Sequence, residues 1–162
     1  MACLDIVRAS THDIPFIMAS ERTPAYRGLV GSWERTQHEE ALADSRYAYF
    51  LGRRAQKAVG FVIVRDWASK DRVTYIKRII VSEAGQGTGR ELLAKVVDII
   101  FAETNAWRVW LETLAHNTRA QHVYEKLGFR REGVSRGAAL LDGQHLDEVM
   151  MAVLRPEWRA ER

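Results

Sequence analysis

Three glycines at alternate positions, Gly85, Gly87 and Gly89, stand in VSEAGQGTGRELLAKVV (Val81 to Val97), between an apolar run and an amphipathic one. A strand, a glycine-rich turn and a helix start, in that order, aim unpaired backbone N–H groups and the positive end of a helix dipole at an anion. Glycine serves twice in such a turn, because it adopts positive φ and lets phosphate oxygens approach a main chain without a Cβ. The chemistry on offer is phosphate or pyrophosphate binding, against the plainer reading of a helix-start turn kept for tight packing. Spacing narrows the ligand. Arg90-Glu91 follow Gly89 where an NTP-binding P-loop needs Lys-Ser/Thr. In a dinucleotide fingerprint the third glycine would fall on Arg90 or Leu92, so that motif fails in both registers.

A second stretch, AHNTRAQHVYEKLGF (Ala115 to Phe129), places Asn117 where it caps a helix and Tyr124 two turns further on, hence on the same face. Ala120 and Gln121 fall between them on that face, so an amide, a small residue and a phenol are expected to line one groove. Glu112 ends the strand-like run VWLET and is expected to face the same region. Glu83, His116 and His145 are reserve candidates for a general base; a helix-start field, a capping position and a turn account for them more simply. The histidines at 12, 38, 116, 122 and 145 show no i, i+4 ligand spacing, so they read as scattered surface residues and no metal is implied.

These residues must be positioned by the elements around them. A strand over Leu4 to Arg8 precedes a helix from Asp13 to Glu21, with Ser10-Thr11 and Asp13 supplying capping oxygens. Residues 22 to 36, with Pro24, Gly28 and Gly31, read as loop or broken helix, and a helix follows over Gln37 to Ser45. Tyr47 to Gly52 and Ala58 to Asp66 pair as a hairpin, and Arg72 to Val81 leads into the glycine loop. Beyond the loop, Leu92, Leu93, Val96, Val97, Ile100 and Phe101 form one apolar helical stripe. A strand over Arg108 to Thr113, a helix over Asn117 to Leu127 closed by Gly128, and two strands about the Asp142-Gly143 turn complete the chain.

The 162 residues, 47% hydrophobic, fit one mixed α/β domain over 1–162 with a substantial core. A net charge of +3, with signs alternating along the chain, suits a small anionic ligand and argues against nucleic acid as a partner. Cys3 is the single cysteine, which excludes a disulfide framework and points to a reducing compartment. No run reaches signal-peptide or membrane-span length, so a cytoplasmic location without membrane attachment is expected.

The pairing of VSEAGQGTGRELL with NTRAQHVYEKLGF resembles the GNAT superfamily of acetyl-CoA-dependent N-acetyltransferases over roughly Tyr75 to Phe129, nearest to ribosomal-protein N-terminal and small-amine acetyltransferases. The resemblance implies a mixed, mostly antiparallel sheet of about six or seven strands, splayed near strands 4 and 5 and flanked by about four helices. It implies acetyl-CoA as co-substrate, its pantetheine arm paired with the main chain of Ile79, Ile80 and Val81. The pyrophosphate would lie on Gln86, Gly87, Thr88, Gly89 and Arg90, and Asn117 would meet the pantetheine or adenosine. Ala84 stands where the family has Arg or Gln, which removes one side-chain contact at the start of the loop. Arg119, Lys126, Arg130 and Arg131 flank the groove within reach of a 3′-phosphate.

By the same resemblance Tyr124 is the general acid and Glu112, after a similar Trp-Leu-Glu run, the general base, while a backbone N–H around Val81 polarises the carbonyl. An ordinary phenol, near pKa ~10, lies above a thiol near ~8.5, so Tyr124 can protonate the leaving thiolate only where that thiolate is poorly solvated. The acceptor is a small-molecule or peptide amine, met by Tyr26, Trp33 and a terminal hairpin carrying Arg136, Asp142 and Asp147. A homodimer is the default assembly. The competing expectation is a catalytically silent acyl-CoA-binding or regulatory module, which Ala84 favours.

Overall fold

The computed structural model describes residues 1–160. Along the chain run β1 (Asp5–Arg8), α1 (Ile14–Glu21), α2 (Arg35–Ala43), β2 (Tyr47–Arg54), β3 (Lys57–Arg65) and β4 (Val73–Val81). They are followed by α3 (Thr88–Glu103), β5 (Arg108–Leu114), α4 (Thr118–Lys126), β6 (Arg130–Leu141), β7 (Gln144–Leu154) and α5 (Arg155–Ala160). The strands form one seven-stranded sheet in the order β1-β2-β3-β4-β5-β7-β6. Only β4 and β5 pair in parallel, because α3 crosses over between them; every other neighbouring pair is antiparallel. The mixed, mostly antiparallel sheet of the sequence reading is therefore present.

Local chemistry explains most boundaries. Ser10 accepts from the His12 N–H and Asp13 accepts from the Ser10 N–H, a capping box that opens a single 3-10 turn before α1. In α4, Asn117 accepts from the Ala120 N–H at 3.2 Å. Gly128 (φ +99) ends that helix in a Schellman arrangement, with Phe129 N–H on the Tyr124 carbonyl and Gly128 N–H on the Glu125 carbonyl. Asp142 and Gly143 both take positive φ in the β6–β7 turn, as an Asp-Gly hairpin requires. The β2–β3 turn adopts the same form with Ala55 and Gln56, residues that carry no such signal. Helix α2 starts two residues before the expected Gln37, since Gln37 itself accepts from the Glu34 N–H. Helix α5 is added to the four anticipated.

Two cores sandwich the sheet. On one face the stripe of α3 meets Val62, Val64, Ile76, Val109, Leu111 and the inward side of β7, joined by Tyr124 from α4 and Trp158 from α5. On the other, α1 and α2 cover Tyr49, Leu51, Phe61, Ile63 and Ile80. Ile76 and Ile80 would share a face in a regular strand, yet they belong to opposite cores. A bulge causes this: Ile63 pairs with Arg78 and Val64 with Ile76, so Lys77 is the extra residue of β4. No helix among the described residues is long and apolar enough to cross a membrane.

Leu93 lies on the α3 stripe with no exposure. Leu93→Ala is expected to lower unfolding free energy by about 2–5 kcal/mol, read as a fall in the urea midpoint at unchanged m-value.

Candidate active site

The bulge at Lys77 coincides with the place where β4 leaves β5. Parallel pairing joins Val73–Ile76 to Arg108–Leu111 and goes no further. Past that point β4 keeps β3 as its only partner, which leaves one edge of its main chain open inside the sheet. Val81 shows which groups face the gap: its N–H donates to the Tyr26 hydroxyl at 3.0 Å, and that hydroxyl donates to the Val81 carbonyl at 2.9 Å. By the alternation of an antiparallel ladder, the N–H and carbonyl of Ile79 face the gap as well, whereas those of Ile80 turn toward Phe61 of β3.

A cavity of about 530 Å³ fills the gap. One end is the glycine loop, contributing Ala84, Gly85, Gly87, Gly89 and Arg90. Gly87 occupies the helix N-cap at φ +76 and Gly85 has φ +88, so both adopt the left-handed region that disfavours side chains. A Cβ on Gly85 would lie 3.2 Å from Nη2 of Arg119, which places that guanidinium directly over the loop. Thr88 is buried, and Gln86 donates from its side-chain amide to Glu83 at 3.0 Å; neither lines the cavity.

Helix α4 supplies Ala120, Val123 and Tyr124, and its N-cap Asn117, to one wall. Burial, and secondarily the nearby Tyr26, push the Tyr124 phenol above its ordinary value and keep it protonated. Gln121 is not in the groove: it turns inward and donates to the carbonyls of Leu114 and Ala115 at 3.1 and 3.0 Å, spanning the β5–α4 connection.

Glu112 reaches the cavity from the opposite face of the sheet, because Leu111 beside it points into the α3 core. There the Tyr75 hydroxyl donates to it at 3.4 Å. Burial, then Glu112 and Glu148, raise the Tyr75 phenol; burial, then Arg78 and Arg65, lower Lys77. Glu148 on β7 completes this polar wall and was absent from the sequence reading. Its carboxyl is pushed up to about 7, first by burial and then by the Glu112 carboxylate beside it. The available signal was the Asp147-Glu148 pair directly before the apolar run VMMAVL. Nothing local tells that β7 inserts between β5 and β6 and so brings it to Glu112.

Other expectations are corrected. His38 is not a surface histidine: it is fully buried, with Nδ1 2.8 Å from the Tyr49 hydroxyl and Nε2 2.8 Å from Oε1 of Glu21. The second oxygen of Glu21 pairs with Arg78, whose guanidinium forms part of the cavity wall. Tyr26 lines the cavity as anticipated, but Trp33 lies behind it, against His38, Lys77 and Arg78. From the terminal hairpin the cavity takes Ala139, Leu141 and Glu148, not Arg136, Asp142 or Asp147; Asp147 instead accepts from the Gly137 N–H at 2.8 Å. Arg130 and Arg131 pair with Glu157 and Glu125, away from the loop. Of the reserve bases, Glu83 and His116 are exposed and outside the lining, and His145 lies 3.1 Å from the Gly137 carbonyl.

A parallel strand pair that parts beside a glycine-rich helix start, within one mixed α/β sheet, defines the class of domain. Residues 16–129 match the Acetyltransferase (GNAT) family, and the chain belongs to it. It is 30% identical over 78 residues to the [Ribosomal protein uS5]-alanine N-acetyltransferase of Escherichia coli, a match over 48% of this chain and 40% of that protein. It is 29% identical over 123 residues to the spermidine N(1)-acetyltransferase of Vibrio cholerae, covering 75% of this chain and 71% of the other. The fold superposes on spermidine N-acetyltransferase from Vibrio cholerae in complex with CoA and spermine with a TM-score of 0.86, at 21% identity over 96% of this chain and 98% of the other. The ribosomal-protein-S18-alanine N-acetyltransferase of Escherichia coli gives a TM-score of 0.78 at 23% identity, covering 94% of each chain.

Glu21→Gln removes the negative charge between His38 and Arg78. Leaving the Arg78 guanidinium buried without its partner should lower stability by about 3 kcal/mol, measured by urea denaturation followed by circular dichroism.

Proposed function

We propose that the chain transfers the acetyl group of acetyl-CoA to a primary amine by direct attack on the thioester, as a single domain in a reducing, cytoplasmic setting. One observation carries the reading: one cavity crosses the sheet at the splay, with the glycine loop and Tyr124 on one side and Glu112 on the other. A thioester lying in the gap would expose its carbonyl carbon to an amine from the carboxylate side while its sulfur leaves toward the phenol. The Vibrio cholerae structure in complex with CoA and spermine supports both ligand classes for a fold of this shape.

The roles follow from position. The N–H groups at the start of α3 lack intrahelical partners and would take the diphosphate, aided by Arg119 in place of the side chain that Ala84 lacks. The main chain of Ile79 would pair with the pantetheine arm like an added strand, and the Val81 groups held by Tyr26 would join it where that hydroxyl yields. An N–H of this segment would polarise the thioester carbonyl. The ammonium gives one proton to the carboxylate side, through Glu112 or a water on it, and the neutral nitrogen attacks. As the C–S bond breaks, Tyr124 protonates the sulfur and recovers a proton from the nitrogen. The products are the amide, the free thiol and one proton released to water. The raised phenol fits a donor that must stay protonated until a poorly solvated thiolate forms beside it.

Tyr124→Phe should lower kcat at least about 10²-fold while the acetyl-CoA Kd stays within about twofold, as release of free thiol and calorimetry would show. Unchanged turnover would remove Tyr124 from the mechanism. Gly87→Val forces a β-branched residue to φ +76. It should weaken acetyl-CoA binding by at least about tenfold, and retained affinity in a folded variant would contradict the loop assignment. Thermal stabilisation by acetyl-CoA without thiol release across a broad amine panel would favour the silent module instead.

A further inference from the structure

Glu148 has no place in the reading above, yet its surroundings are those of a working group. Leu114 pairs with Glu148 across β5–β7 and Glu112 with Met150, so the two carboxylates are diagonal neighbours on one face. That spacing brings long side chains into contact. Both line the cavity, and the face they share is the one remote from the glycine loop and Tyr124. Beside them Tyr75 packs against Trp110 with ring centroids 4.4 Å apart, and the Arg65 guanidinium lies over the Tyr75 ring at 4.6 Å. The titratable groups facing Glu148 are Glu112 from β5 and Lys77 and Tyr75 from β4; its pairing partner on β6 is Ser135. Arg78 is engaged by Glu21, Arg65 of β3 lies over the Tyr75 ring, and Lys77 is the cation that acts on Glu148.

We propose that Glu148 and Glu112 form a two-carboxylate seat for the acceptor ammonium, in which Glu148 is the specificity-determining residue that selects a cationic alkylamine and takes up the proton it sheds. The proposal rests on the acetyl-transfer reading and deepens it. With one proton between them the two carboxyls carry a single negative charge, the complement of one ammonium. Loss of the shared proton readies the pair as acceptor: the amine's N–H bond breaks, its electron pair stays on nitrogen for attack on the thioester, and the proton rests on Glu148 until water carries it away. A carboxyl held at about 7 is a better acceptor for that proton than an ordinary one. Below that pH the shared proton stays on the pair, which still holds the cation but cannot take its proton, so activity should fall on the acid side.

Two measurements test this, one independent of turnover. In protein labelled with 13C at the glutamate carboxyls, one resonance should titrate at about pH 7, vanish in Glu148→Gln, and move to lower pH when spermidine is added. In thiol-release kinetics with spermidine, Glu148→Gln should abolish the acid limb of kcat/KM near pH 7 and reduce kcat/KM at least about tenfold at pH 8, with the acetyl-CoA KM unchanged; Glu148→Asp should restore part of the limb. The proposal is overturned if no glutamate titrates above about pH 6, or if Glu148→Gln leaves the limb in place. If the resonance responds to spermidine but no thiol is released by the unmodified protein, the seat stands and the acetyl-transfer reading falls.

Discussion

The structure turns on the early end of one hydrogen-bonded ladder. β4 and β5 are tied by four residue pairs, after which the bulge at Lys77 swings β4 aside while β3 continues to hold it. An open edge inside a sheet is costly unless its polar groups find partners, and here Tyr26 from the α1–α2 connection supplies one hydroxyl to both groups of Val81. The same bulge reverses the side-chain alternation, sending Ile76 to the α3 core and Arg78 to the α1–α2 side. One extra residue thus opens the gap and sets what lines it.

Something must keep that gap from closing or from splaying further, and the network behind it does so. Glu21 at the end of α1 joins His38 of α2 to Arg78 of β4, and His38 continues to Tyr49 of β2. Charges this deep are retained at a desolvation cost, so their worth lies in geometry more than in stability. They fix the helical layer against the strand beside the bulge, where Trp33 lies over both Lys77 and Arg78. On the far side Gln121 ties α4 to the end of β5, which sets the height of Tyr124.

The elements were legible where local chemistry is decisive. The glycine loop, the α3 stripe, the Asn117 cap, the Gly128 stop and the Asp-Gly turn all act within a few residues of themselves, and each is found where its residues imply. Residues 22 to 36 were poorly legible because their order comes from partners elsewhere: Tyr26 is held by Val81, and the main chain at Trp33 by Arg22 and Glu21. His38 was misread for the same reason. A histidine among the polar residues of RTQHEEALA looks solvated until Glu21, 17 residues earlier, and Tyr49 enclose it.

By itself the sequence determined a glycine-rich strand–loop–helix and a capped helix carrying a tyrosine, because backbone conformation and helical periodicity are properties of neighbouring residues. It also determined the alternating strands from which a mixed sheet is made. Only the tertiary structure decided that β7 lies between β5 and β6, that Glu148 therefore meets Glu112, and that a phenol and two carboxylates face each other through the sheet. Those relations join residues far apart in the chain. They exist only once strand order, one bulge and the packing of two helical layers have been settled together.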